Sequence, residues 1–377
     1  MVFRIVDLFC GCGGLSCGFV QEGFEIMAGI DTNTIALKTF SQNFHNAMAV
    51  NADLSLLDPA DLRAKLRLEP GELDCLVGGP PCQGFSKNVP AAQRSLNDHR
   101  NRLMKVFLSF VKEFQPQSVL IENVAEILNA YNGVVSHEIL ETLENMGYKA
   151  TVKIINAAQY GVPQLRRRAF FLARKIKPIV FPLPSYQTKS EPINLQPAFD
   201  LFESRQKPYV TVWQAISDLP SLSSGGGNNP IEYQTPPTSD YQSLMRNGNQ
   251  IVYDHVARSL TTIQLERINC LGEGEGMAQL PDHLRPQKGY SGAYGRLFPQ
   301  QPARTITRWV FHPGSGRFYH PYDNRVITIR EAARLQSFPD WFIFTGTYIQ
   351  KSHQVGEAVP PFLTRQFARS IADALKE

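Results

Sequence analysis

The sequence predicts an α/β fold in which a mostly parallel sheet is followed by a second, smaller and irregular domain. Three observations predict it. Over the first 175 residues, short apolar runs alternate with segments of helical periodicity, the pattern of strands joined by crossover helices. After Lys177 the texture changes: Pro178, Pro182, Pro184, Pro192, Pro197 and Pro208 follow closely, then the run 221–230 of serine, glycine and asparagine. Regular periodicity returns only near Thr328.

The expected strands are Arg4–Phe9, Glu25–Ile30, Ala47–Ala52, Leu73–Gly78, Ser118–Glu122, Lys149–Ile155 and Ala169–Arg174. Between them Leu15–Glu22, Thr34–Asn43, Arg102–Phe114 and Ser136–Met146 read as helices. Thr328-Ile329-Arg330-Glu331 is a capping box that opens a helix through about Ser337. Pro360-Pro361 begins a final helix, since proline is tolerated in a first turn. The expected division is a large domain of residues 1–178 plus 350–377 and a small domain of residues 179–349.

The 377 residues are 43% hydrophobic and 19% charged with a formal net charge of +4, which excludes disorder of the whole chain. Apolar runs such as Ala169–Ala173 fall far short of the roughly 20 residues a bilayer requires. Asp7 comes early, and no long apolar stretch marks a signal peptide, so a cytoplasmic location is expected. Six cysteines then read as reduced thiols. Cys10, Cys12 and Cys17 crowd together without a second ligand pair, so they are expected as small buried thiols and no metal is expected.

Net charge conceals an asymmetry. Residues 285–330 hold eight Lys/Arg and one acid, Asp323, a local +7, so the rest of the chain sums to −3. Residues 161–178 add six Lys/Arg and no acid. These stretches read either as two solvated basic faces or, with Tyr290, Tyr294, Trp309, Phe311 and Phe318 interleaved, as a nucleic-acid surface, and charge alone does not decide between them.

Chemistry-bearing residues gather where open α/β sheets bind ligands, at the carboxyl ends of strands. The first strand runs into Cys10-Gly11-Cys12-Gly13-Gly14, where glycines let the backbone approach a ligand beside a helix N-terminus. Asp31 ends the second strand, 20 residues after Gly11, where an acid can accept ribose hydroxyls. These two features alone fit a nicotinamide cofactor, or none, equally well, although the glycine spacing is not G-x-G-x-x-G. The fourth strand leads into Gly79-Pro80-Pro81-Cys82-Gln83-Gly84-Phe85-Ser86, and the polar stretch 86–100 that follows is long enough to close over a site. Glu122-Asn123-Val124 ends the fifth strand. In Gln164-Leu165-Arg166-Arg167-Arg168, alternation puts Arg166 and Arg168 on one face.

Together these motifs resemble the DNA (cytosine-5)-methyltransferase family, in its bacterial restriction-modification or orphan form. The resemblance extends through Arg296-Leu297, Pro302 to Thr307, Arg330 to Gln336 and Gln354 to Pro361, in the family's order. Only about residues 185–285 lack a counterpart. It implies a class I S-adenosylmethionine-dependent methyltransferase fold, Rossmann-like, whose small domain recognises the target. It implies S-adenosylmethionine as donor, S-adenosylhomocysteine as product, double-stranded DNA as partner, and action as a monomer. By position, Cys82 would add to cytosine C6, Glu122 would serve N3, and Arg168, with Arg166 nearby, would hold O2. The target base would rotate out of the stack. Phe9, Gly11, Gly13, Leu15, Asp31, Asp53, Leu54, Pro81, Leu103, Ala358 and Val359 would line the donor pocket. Ser86, Arg100, Arg296, Arg304, Arg308 and Arg317 are the expected DNA contacts. Two residues depart from the family pattern: Glu357 stands where asparagine is usual, and Thr32 where an aromatic often follows the ribose-binding acid. A transfer-RNA-acting relative would carry a Cys-Phe-Thr signature, which is absent. A non-catalytic DNA-binding relative would have no need of Cys82, Glu122 and Arg168 together.

Overall fold

The computed structural model describes residues 2–81, 102–187, 206–287 and 292–377. Cys82, Ser86, Arg100 and Tyr290 therefore lie outside the described residues. The chain packs into two compact units: Met1–Asn156 with Arg167–Pro182 and Ala358–Glu377, and Ala157–Arg166 with Leu183–Glu357. Residues 157–166 and 350–357, which the sequence places with the large domain, belong to the second unit.

The first unit is built on a seven-stranded sheet. Its strands are β1 (Arg4–Leu8), β2 (Glu25–Asp31), β3 (Met48–Asn51), β4 (Cys75–Gly78), β5 (Ser118–Val124), β6 (Lys149–Asn156) and β8 (Arg167–Arg174), in the order β3-β2-β1-β4-β5-β8-β6. Neighbours pair parallel except at β8, which runs antiparallel to both β5 and β6. Helices α1 (Gly14–Val20), α2 (Thr34–Asn43), α3 (Pro59–Lys65), α4 (Arg102–Phe114), α5 (Val134–Asn145) and α11 (Pro361–Lys376) complete it.

Central strands read as unbroken apolar runs because both faces are covered: every residue of β4 is buried. In α4, Phe107, Phe110, Val111 and Phe114 recur at helical spacing and are fully buried in the core with Leu76, Val119 and Ile121. Helix α3 was not legible in the sequence. It starts on an Asp58 cap with Pro59 in the first turn but buries only Leu62, too little apolar surface to set a period.

The second unit has little regular structure. Its short helices are α6 (Val212–Ile216), α7 (Asp240–Arg246), α8 (Thr262–Asn269), α9 (Ile329–Leu335) and α10 (Tyr348–Glu357). A two-residue strand, β7 (Gln164–Leu165), pairs in parallel with Ala303–Arg304. The capping box at Thr328 and Glu331 forms as expected, and every residue of α9 is buried. Buried ion pairs run through this unit alongside its apolar core. Arg334 donates from Nε and Nη2 to the two oxygens of Asp340 (2.9 and 2.7 Å) and from Nη1 to Asp218. Arg325 makes a two-pronged pair with Glu331 (2.7 and 2.8 Å). Burial alone would raise the Glu331 carboxyl, but Arg325 outweighs it and holds the group well below the usual carboxylate range. Among the described residues no helix is long and apolar enough to cross a membrane.

Candidate active site

The turn after β1 is shaped for close approach. Phe9 (φ 61°), Gly11 (φ 53°) and Gly13 (φ 94°) all take left-handed backbone, which costs least at glycine. A Cβ at Gly13 would stand 2.4 Å from the Phe44 ring, whereas one at Gly11 would meet nothing within 4 Å among the described residues. Gly11 is thus open on that side among them. Its N–H donates to Asp31 Oδ2 (2.8 Å), and the N–H of Asn33 donates to Oδ1 (2.8 Å). Each carboxylate oxygen is aimed by one backbone donor and keeps a lone pair for a further hydroxyl.

Neighbouring elements complete this edge. The Asn51 side chain donates to the carbonyls of Asp31 and Thr32, tying β3 to the end of β2. Asp53 is exposed, and hydrogen bonds from the Ser55 backbone and hydroxyl hold its carboxyl below the ordinary value. Leu54 is buried and Leu103 half-buried. Ala358 and Val359 lie against the start of α1, where a Cβ on Gly14 would fall 2.5 Å from the Val359 carbonyl oxygen. The structure brings together Gly11, Asp31 and the Asp53 turn, and separately Gly14, Ala358 and Val359.

Further along the sheet, Gly79, Pro80 and Pro81 continue from β4. The Asn123 side chain donates to the Pro80 carbonyl (3.0 Å), fixing this turn to β5. Gly79 passes so close to Glu122 that an added Cβ would lie 3.2 Å from Oε2. From β8, Arg168 Nε reaches Glu122 Oε1 at 3.0 Å, both side chains being mostly buried. Antiparallel pairing sets this contact, since Arg168 lies opposite Val124, two residues from Glu122. A carboxylate and a guanidinium are therefore held beside the turn that leads into Cys82.

Sequence reasoning passed over Asp7. It is fully buried, accepts a hydrogen bond from Ser16 Oγ (2.7 Å) on Oδ2, and among the described residues leaves Oδ1 without a partner. Burial pushes its carboxyl up to about 7, against the lowering effect of Ser16, with Asp31 adding a smaller push upward. The available signal was an acid inside an otherwise apolar central strand. The unfolded chain loses this proton near 3.8, whereas the folded chain keeps it to about 7. Stability therefore falls as pH rises through that window, and the full penalty stands above it. Asp7→Asn should lose about 2–3 kcal/mol less stability than the wild type between pH 5 and 8, by urea unfolding. Parallel curves would refute this.

Several expected roles are corrected. Arg166 is buried in the second unit, its Nη1 donating to the carbonyls of Ile306 (3.1 Å) and Gly356 (3.2 Å). It braces two backbone segments of that unit. Arg296 is likewise buried, donating to the carbonyls of Leu271, His320, Asp323 and Ile268 and to Asn324. Arg317 is half-buried against the Phe298 ring and donates from Nη1 to the carbonyls of Gly274, Glu275 and Arg296. Arg325 and Arg330 are interior too. Three of the seven described arginines of this stretch, Arg296, Arg325 and Arg330, are thus internal scaffolding, because guanidinium can be buried where its N–H groups find acceptors, while Arg285, Arg304 and Arg308 are exposed. Arg304 and Arg308 are exposed, with Trp309 beside the Arg308 guanidinium (5.0 Å to the ring centre). Alanine at 304 or 308 should weaken duplex binding and flatten its salt dependence by about one ion per site. Alanine at 296 should instead lower the unfolding midpoint. A salt slope unchanged at both 304 and 308 would exclude them as phosphate contacts.

Among the described residues no group of three or more His, Cys, Asp or Glu is placed to hold a metal. Cys10, Cys12 and Cys17 are buried, and burial pushes the Cys17 thiol up to about 12.

Comparison with known proteins places this geometry. Residues 3–373 match the family model for C-5 cytosine-specific DNA methylase. The type II methyltransferase M.AgeI of Thalassovita gelatinovora is 33% identical, with 99% of this chain and 100% of that protein covered. M.DdeI of Desulfomicrobium norvegicum is 34% identical over 98% of this chain and 88% of its own. A solved prophage-encoded E. coli structure, assigned as a DNA modification methyltransferase, superposes with a TM-score of 0.77 at 26% identity, with both chains fully covered. Sheet, motifs and relatives agree on a class I S-adenosylmethionine-dependent fold, and the chain belongs to the C-5 cytosine-specific DNA methylase family.

Proposed function

We propose that the protein transfers a methyl group from S-adenosylmethionine to C5 of a cytosine within a specific double-stranded DNA sequence, through a covalent bond between Cys82 and C6 of a flipped-out base. The observation that carries this reading is the Glu122–Arg168 pair beside Gly79, three residues before Cys82. Cytosine C5 is a weak nucleophile, so a thiolate must first add to C6 and make the ring an enamine. Cys82 supplies that thiolate. Glu122 is assigned the charge that builds at N3, relieved there by a hydrogen bond or proton transfer, and Arg168 holds O2. The bound donor supplies an electrophilic methyl group. A base such as water then removes the C5 proton, and Cys82 leaves as the ring regains its aromaticity.

The donor fits the glycine turn. Among the described residues Gly11 leaves open space at its Cα, and Asp31, aimed by two backbone donors, keeps acceptor lone pairs for a ribose diol. Phe9, Gly13, Leu15, Asp53, Leu54, Pro81, Leu103, Ala358 and Val359 are assigned to the same pocket by their position in the family motifs. Labelled donor and a pool of unmethylated duplex DNA test the reading, with bisulfite sequencing of the product. Label at one recurring cytosine context is the expected result. Label in RNA alone would move the activity to the RNA-acting branch, and label in neither would leave a binding protein.

A further inference from the structure

In the second unit, the exposed loop bearing Arg304, Arg308 and Trp309 is clamped to the end of α10. The Ser352 hydroxyl donates to the Arg308 carbonyl (2.9 Å). Arg166 Nη1 bridges the carbonyls of Ile306 and Gly356. Gly356 packs so tightly on this loop that a Cβ there would stand 2.2 Å from the Arg308 nitrogen. Backbone positions at 306–308 are therefore fixed, and the Arg308 side chain is left to choose its partner. Its guanidinium lies over the Trp309 ring and pairs with Glu357: Nη1 lies 3.5 Å from Oε1, with both side chains about half exposed (50% and 57%).

Glu357 also sits where a carboxylate favours a nearby cation. It is the last residue of α10, where the negative end of the helix dipole disfavours a carboxylate, so a nearby cation is its main compensation. An exposed pair at this distance is weak and easily exchanged for another anion. A DNA phosphate carries the same charge and offers guanidinium a two-pronged acceptor.

We propose that Glu357 is a stand-in for a DNA phosphate: its carboxylate holds Arg308 in the free protein and gives it up when the DNA backbone arrives. The inference rests on the proposed action on duplex DNA. It makes Glu357 a competitor that tunes affinity, and its effect must pass through Arg308.

The test is a double-mutant cycle on the full-length protein, with a fluorescent random-sequence duplex as the probe at low salt. Glu357→Gln should tighten binding about two- to fivefold in the wild-type background, the gain shrinking as salt rises. In the Arg308→Ala background the same substitution should change affinity little, because the competed group is gone. An equal gain in both backgrounds would overturn the proposal, showing only that removing a negative charge helps. No gain in the wild-type background would overturn it as well. Both side chains are exposed, and equal unfolding midpoints verify that all four proteins fold. A wild-type protein that neither binds nor methylates duplex DNA would instead defeat the function on which the inference rests.

Discussion

Cys82→Ser should bring methyl transfer below detection while donor binding persists. A serine hydroxyl is a far weaker nucleophile than a thiolate at neutral pH, and without addition at C6 the C5 carbon does not become an enamine. The donor pocket assigned to the Gly11–Asp31 turn does not depend on that sulfur, so product-analogue binding by calorimetry should match the wild type. Rates within tenfold of wild type would contradict the covalent route. Glu122→Gln and Arg168→Ala provide companion measurements: each should slow transfer strongly, and the double variant should lose less than the two losses combined, because the side chains are paired.

Removing Arg334 should produce the largest loss of stability. Its guanidinium is fully buried and bonded to Asp340, Asp218, the Ala215 carbonyl and the Tyr233 hydroxyl. Arg334→Ala leaves two buried carboxylates short of a cation, a change that costs about 3–5 kcal/mol. Arg246 still donates to Asp218 (2.6 Å), which sets the loss toward the lower end of that range. Arg334→Lys keeps the charge but not the fork, so it should recover only part of the loss. Urea unfolding measures both, and a loss under about 1 kcal/mol for the alanine variant would contradict the network's role.

These expectations show which parts of the molecule the sequence exposes. Strands β1, β2, β4, β5 and β8 were readable because apolar runs bounded by glycine, proline and acids have few other uses. The positions of Gly11 after β1, Asp31 at the end of β2 and Glu122 near the end of β5 followed at once, since strand ends fix where those residues stand. The second unit was far less legible. Its helices α6, α7 and α8 have five to eight residues each, too few to declare a period.

Charge was the most misleading feature. Residues 285–330 look like a basic surface, yet Arg296, Arg325 and Arg330 are interior, and Arg317 is half-buried. Sequence counts the charge but not the acceptors, and the acceptors are backbone carbonyls and distant acids such as Asp254 and Asp340. Arg166 likewise spends its Nη1 on backbone carbonyls, those of Ile306 and Gly356. Asp7 shows the reverse error. A lone acid in a central strand was passed over although its burial makes it one of the most perturbed groups.

The central claim is that Cys82 bonds to cytosine during methylation, and one measurement tests it directly. A duplex carrying fluorine in place of hydrogen at cytosine C5 accepts the thiolate and the methyl group. The fluorine cannot then leave as a cation, so Cys82 should remain attached to the base. Incubation with donor should yield a protein–DNA complex that survives denaturation, with the linkage mapping to the peptide that contains Cys82. A linkage at Cys75 or Cys270, or methylation of ordinary DNA with no trapped complex on the fluorinated duplex, would contradict the account.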